Sequence, residues 1–318
     1  MGRKSLSNRQ EDKDSNTYPS YLKLFETGEL KQRADRLYSL YECCELCPRD
    51  CRVNRTQNQV GKCQASDRVK VSNAFPHYGE EAPLVGKKGS GTIFFSNCGL
   101  RCIYCQNYTI SIEGDGVEIT DRRLAETMLN VQNMGCHNIN LVTPTHYLPN
   151  IVNALNMAVP KGLKLPLVYN TGGYEREEIL KLLDGVIDIY MPDCKYMDPE
   201  YAAKFSSEAY NYPYYVKKAL KEMYRQVGDL NLDARGIARQ GLLLRHLVLP
   251  NRVAGTREFL QFVAEELSKN SYLNIMRQYR PEYKAKNYPE INRRITSKEY
   301  QETLEWAKEL GLNRLDRR

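Results

Sequence analysis

Apolar runs and polar stretches alternate along residues 92–310 with a regularity that the segments on either side lack. Short runs rich in Val, Ile, Leu, Phe and Tyr at 92–96, 138–143, 165–171, 186–192, 242–249 and 272–277 read as buried strands. Between them, apolar residues recur at helical spacing over 122–134, 148–159, 175–183, 215–227 and 256–267, and a last helix over 297–310 carries Trp306. Six strands, each followed by a helix, describe a parallel βα array with right-handed crossovers. Eight such units would be needed to close a barrel of the common type. Upstream the pattern changes. Leu22, Leu24, Leu30, Ala34, Leu37 and Leu40 predict helix over 21–41, broken at Thr27-Gly28, and residues 1–18 read as a disordered tail. The stretch 69–91 reads as irregular, and Gly86-Lys87-Lys88-Gly89-Ser90-Gly91 as a hairpin or approach loop: it precedes a strand and lacks the residue order of a phosphate-binding loop.

Ten cysteines change this picture more than bulk composition does. Cys98, Cys102 and Cys105 follow the apolar run Ile93-Phe94-Phe95 in a Cys-x3-Cys-x2-Cys spacing. A loop of that kind can wrap three thiolates round one corner of an iron–sulfur cube and leave the fourth iron to another ligand. Zinc also accepts thiolates but wants a fourth protein ligand at a structural site. Three cysteines so close make a poor disulfide framework. A second group, Cys44-x2-Cys47-x3-Cys51-x11-Cys63, has Gly61 to turn the chain back toward Cys63. Four thiolates in about twenty residues suit a closed site, for which zinc and a [4Fe-4S] cluster are equally good occupants. Buried, unliganded thiols are the plainer alternative. Cys43 reads as a spare, and His77 as a surface or core histidine.

The first cysteine group, with Tyr104 just before its third cysteine, resembles the cluster motif of the radical S-adenosylmethionine superfamily. Its continuation Cys105-Gln106-Asn107 is similar to the glycyl-radical-enzyme activase branch, in particular to uncharacterised homologues of the pyruvate formate-lyase activating enzyme. The resemblance covers about residues 43–281. It implies an α/β fold, a partial (β/α)6 barrel with a cysteine-rich N-terminal extension, divided into an extension over 1–87, a core over 88–296 and a C-terminal helix over 297–318 packed on the core. It also implies a [4Fe-4S] cluster on Cys98, Cys102 and Cys105, with S-adenosylmethionine as cofactor. The second group would hold a further [4Fe-4S] cluster or zinc.

Reactive groups in such a fold gather at the C-terminal ends of the strands. There the resemblance selects Thr143, Thr145 and His146, where many members carry a Gly-Gly-Glu-Pro-like segment that this chain lacks. It selects Asn170 in a segment similar to the activases' Asp-Thr-Asn-Gly, and Asp193 and Lys195 in one similar to their Asp-x-Lys-x-Met-Asp. Arg245 stands at the place of an arginine near the cofactor, and Gln278 and Tyr279 would approach the adenosyl end or the substrate. The implied activity is reductive cleavage of S-adenosylmethionine to a 5'-deoxyadenosyl radical that abstracts hydrogen from a substrate, such as a protein glycyl radical site. Radical modification of RNA or of a small molecule is the alternative enzyme. A non-catalytic iron–sulfur or zinc-organised binding protein is the alternative class.

The remaining composition narrows little. The hydrophobic fraction is 42% with no run long enough to span a bilayer. The first twenty residues are polar, without a signal-peptide core, and ligand-spaced thiols need a reducing compartment, so the expected location is cytoplasmic. A formal charge of +7 is mild, and the C-terminal arginines are interspersed with acids as on a solvated face. No recognition-helix, RNA-binding or stacking-platform motif supports a nucleic-acid partner. The expected partners are a low-potential electron donor such as flavodoxin or ferredoxin, and a protein substrate.

Overall fold

The computed structural model describes residues 18–316. Nine strands form the sheet: β1 (Val69–His77), β2 (Ser90–Phe95), β3 (Val117–Ile119), β4 (Ile139–Val142), β5 (Leu167–Thr171), β6 (Ile189–Pro192), β7 (Asn231–Leu232), β8 (Ala238–Leu247) and β9 (Tyr272–Met276). They lie in the order β3-β1-β2-β4-β5-β6-β8-β7, with β9 also paired to β8. Consecutive pairs among β2, β4, β5, β6, β8 and β9 are parallel. These six are the strands that the apolar runs predict, and together with their helices they make the six-unit partial barrel. β1 and β3 extend one edge and β7 sits against β8, all antiparallel.

Register shows how the sequence makes an inside and an outside. Tyr169 and Tyr190 face each other on one side of β5 and β6, and Val168 and Ile189 on the other. The first pair joins the large core shared with the covering helices, and the second joins a smaller cluster with Leu84, Met191 and Leu243. Strands buried on both faces read as continuous apolar runs, which is why they were legible without alternation. The helix Leu148–Ala158 packs between Asp121–Asn133 and the N-terminal helix Glu29–Ser39, and Ser297–Glu309 packs against Thr256–Glu266. No helix among the described residues is long and apolar enough to cross a membrane.

The reading of 69–91 as irregular is corrected. That stretch contains β1, a short helix at Ala82–Val85 and the start of β2. β1 is hard to read because most of its residues are only half-buried and it contains Pro76. β3 pairs only with Val69, Lys70 and Val71, so the proline lies beyond it on an edge where its missing N–H breaks no ladder. The connection from β1 to β2 leaves at the N-terminal end of β2, where His77 faces Ser90. It carries Leu84 into the small inner cluster, so it closes the floor of the barrel. The helix expected over 175–183 shortens to Glu177–Lys181 because Glu175 turns inward instead. The helix expected from 215 starts earlier, at Tyr212, whose following proline suits a first turn.

Candidate functional site

The loop after β2 brings Cys98, Cys102 and Cys105 together over the barrel mouth. Asn97 (φ 74°) and Arg101 (φ 49°) both occupy the left-handed region, which bends this loop tightly. It is pinned from several sides. The Asn97 amide donates to the Ile110 carbonyl (2.9 Å), the Ile103 amide to Phe205 (2.9 Å), and Lys284 donates back to Ile103 (2.9 Å). Buried Tyr104 meets Tyr196 and Tyr279 edge to face. Two of the sulfurs have hydroxyl partners: Ser206 Oγ donates to Cys102 Sγ (2.9 Å), and Ser111 Oγ lies 3.1 Å from Cys105 Sγ. Burial pushes the Cys102 thiol up to about 12 against the partial pull of Lys195, and burial raises Cys105 likewise. Soft donors on one fixed loop, hydroxyls at two of the sulfurs and an ammonium that favours their anionic form are the surroundings an iron–sulfur group needs.

Below the loop, at the ends of β5, β6 and β8, lies a chain of half-buried charges. Arg245 donates through Nε to Asp193 Oδ1 (2.7 Å) and through Nη2 to Asn170 Oδ1 (2.9 Å). Lys195 Nζ donates to Asp193 Oδ2 (2.8 Å), although β6 itself ends at Pro192. Burial alone would raise the Asp193 carboxyl, but Arg245 and Lys195 outweigh it and hold the group down at about 2. Burial opposes the Lys195 charge as well, and Asp193 overcomes this and raises it. From the barrel floor Glu80 approaches Arg245 Nη1 (3.4 Å), while Glu81 accepts from Asn274 (2.8 Å). Nothing in their sequence context marks these two glutamates. They reach the site only because the β1–β2 connection folds under the barrel.

A second polar group surrounds Glu175. Its carboxyl accepts from Thr145 Oγ1 (2.6 Å), from Thr171 Oγ1 and from Tyr169 OH (3.3 Å). Among the described residues it faces no cation, and burial pushes it up to about 7 despite the three hydroxyls. Glu175 was missed in the sequence, although it stands only four residues past the end of β5, where the strand-end rule could have found it. A narrow cleft joins Glu175 to Thr143, Thr145, His146, Thr171 and Gly172, and on its other wall to Cys98, Cys47 and Cys63. Thr143 adopts φ 59° and donates its amide to the Asn170 carbonyl (2.8 Å). His146 is buried, its Nε2 donates to the Ser96 carbonyl (2.8 Å), and its Nδ1 has no partner among the described residues. Burial lowers it to about 3, so the ring is neutral. Gly172 lies between the two polar groups: a Cβ there would meet Leu100 of the cysteine loop at 2.7 Å and the Lys195 stem at 3.5 Å. Tyr279 is buried and donates its hydroxyl to Ile291, and the Gln278 carbonyl accepts from Gln106 (3.4 Å).

The N-terminal cysteines lie against this mouth. Cys47 and Cys63 line the cleft, the Lys62 amide points at Cys51 Sγ (3.4 Å), and Cys44 Sγ lies 4.0 Å from Arg55 Nη1. Arg49 ties the two cysteine loops together by donating to the carbonyls of Gly99 (2.8 Å), Ser206 (2.8 Å) and Ser207 (2.6 Å). Among the described residues no three His, Cys, Asp or Glu side chains close on a single-ion centre.

The chain is similar to an uncharacterised protein of Methanocaldococcus jannaschii, with 32% identity over 285 residues that cover 86% of this chain and 77% of the relative. The sequence profile of the radical SAM superfamily matches residues 92–228, from β2 through the helix that follows β6. The chain carries a radical SAM superfamily domain. The matched segment contains the Cys98–Cys105 loop, the Glu175 cleft and the Asp193–Lys195 pair, while Arg245 and the N-terminal cysteines lie outside it. A radical SAM methyltransferase from Sphaerobacter thermophilus matches with a TM-score of 0.48 and 12% identity, over 71% of this chain and 67% of that one.

Proposed function

We propose that this radical SAM protein cleaves S-adenosylmethionine reductively at a cluster held by Cys98, Cys102 and Cys105. The observation that carries the reading is the loop after β2, where three cysteines share one tight turn and two hydroxyls and an ammonium face their sulfurs. When bound, the cluster and S-adenosylmethionine supply one-electron cleavage of the sulfonium and a 5'-deoxyadenosyl radical for hydrogen abstraction. The side chains around them bind and orient. Lys195 offers positive charge beside the sulfurs, and Asp193 fixes its direction while anchoring Arg245. Asn170 holds the far side of the Arg245 guanidinium. Thr143, Thr145 and His146 line the cleft, and Glu175 adds the carboxyl that the 143–146 segment lacks.

By resemblance to the activases, the substrate is proposed to be a protein and the reductant a low-potential donor of the flavodoxin or ferredoxin kind. Anaerobically reconstituted protein, reduced with dithionite and given S-adenosylmethionine, should release 5'-deoxyadenosine and methionine, and Cys98→Ala should release neither. Lys195→Ala should weaken cofactor binding in calorimetry by roughly 1–3 kcal/mol, the loss of one charged hydrogen bond. A protein with a full, reducible cluster that releases no 5'-deoxyadenosine would overturn the reading.

A further inference from the structure

Arg55 is the anomaly of the N-terminal region. Its side chain is fully buried, yet among the described residues it meets no carboxylate. Its guanidinium donates to the carbonyls of Ser66 (3.1 Å from Nε, with Nη2 on the same oxygen) and His146 (2.7 Å). It also stacks 4.2 Å over the Tyr41 ring and points Nη1 at Cys44 Sγ, 4.0 Å away. An arginine keeps its charge at any pH a protein tolerates. A buried, unbalanced charge is costly by several kcal/mol, so such cations are paired. Neutral carbonyls and a ring face solvate this one without neutralising it. Beyond a second ring face, Tyr147 at 5.9 Å, the remaining neighbours with acidic protons are Cys44 and Cys63, both buried, and both belong to the Cys44-Cys47-Cys51-Cys63 group.

We infer that these four cysteines hold a metal–tetrathiolate group whose negative charge is the counter-charge of Arg55. On loading, each thiol releases its proton to solvent as its sulfur binds. Zinc with four thiolates and a four-cysteine [4Fe-4S] cluster are both anionic, and that shared property is what Arg55 recognises. Two further features fit. The Lys62 amide already points at Cys51 Sγ, as amides do at metal-bound sulfurs. A Cβ on Gly61 would sit 2.7 Å from the same sulfur, so the chain passes there only as glycine. With Cys47 and Cys63 on the wall of the cleft, the group would face Cys98 rather than cap a remote surface.

The inference is independent of the reading of the other loop, because the test removes that loop's cysteines. Anaerobically prepared protein with Cys98, Cys102 and Cys105 all replaced by alanine should retain metal. About four irons with matching sulfide identify a cluster, and about one zinc identifies a structural ion. In the same background Arg55→Met should release the metal to a chelator at roughly 10–100-fold lower concentration, while Arg55→Lys stays close to the parent. Should Arg55→Met fail to fold, Cys47→Ser in that background should lose the metal with the barrel's circular dichroism intact. A folded triple variant with neither metal, or a folded Arg55→Met variant that holds metal as tightly as the parent, overturns the inference.

Discussion

Asp193, half-buried, and Glu175, fully buried, are carboxyls just past the ends of neighbouring strands, and they are held in opposite states. Asp193 sits between two cations, Arg245 and Lys195, which keep it ionised far below the usual carboxylate range. Glu175 has only hydroxyls for company, and burial brings it to about 7. Burial pushes both in the same direction, so the difference lies in what each has within reach. Three hydroxyl donors do not substitute for two charges. The first carboxyl therefore fixes geometry permanently, while the second can gain or lose a proton in the range where cells operate.

The most damaging way to break this comparison is Asp193→Asn. It leaves the half-buried Lys195 and Arg245 with a neutral amide, and removing one member of a pair costs up to about 3–5 kcal/mol as burial becomes complete. Urea unfolding at pH 7 should show a loss approaching that size, and a change below about 1 kcal/mol would mean that Glu80 and Glu81 already balance Arg245. The sign of the pH effect is fixed as well. The Asp193 carboxyl is depressed on folding, so its stabilisation is complete above about 3.8 and fades as pH falls toward about 2.

Glu175→Gln should act next in size and in the opposite sense. Between about pH 4.5 and 7 the folded protein holds a proton at Glu175 that the unfolded chain has lost, so stability falls as pH rises through that window. The shift corresponds to about 3 kcal/mol. The Gln variant should lose this slope, and unfolding midpoints that run parallel to wild type from pH 4.5 to 8 would count against it. Smallest is Thr145→Val, which removes one of the three hydroxyls. A loss of about 1 kcal/mol at pH 8 is expected, along with a Glu175 titration moved to higher pH, read by carboxyl NMR. An unmoved titration would assign the ionised state's support to Thr171 and Tyr169 instead.

The same contrast shows which parts of the molecule were legible in its sequence. The six parallel strands were, because a doubly buried strand is a local pattern. Asp193, Lys195 and Arg245 were reached through a family motif plus the strand-end rule, and the structure places them in mutual contact. Glu80 and Glu81 had no local mark, since the barrel floor exists only once β1 and β2 pair. β3 and β7 span three and two residues, too few for periodicity. Arg55 and Arg49 lay in plain view between cysteines, but what distinguishes them is the absence of a carboxylate in one case and three distant carbonyls in the other.

Arg49 also sets a clock. Its last carbonyl partners, Ser206 and Ser207, follow it by 157 and 158 residues. At about 5–20 residues per second of synthesis, that separation is roughly 8–30 s. For that interval a nascent chain displays the cysteines of its N-terminal loop before the surface that receives them has been made. Whatever keeps oxidants from those sulfurs during synthesis has its work set by the pace of the ribosome rather than by the packing of the finished fold.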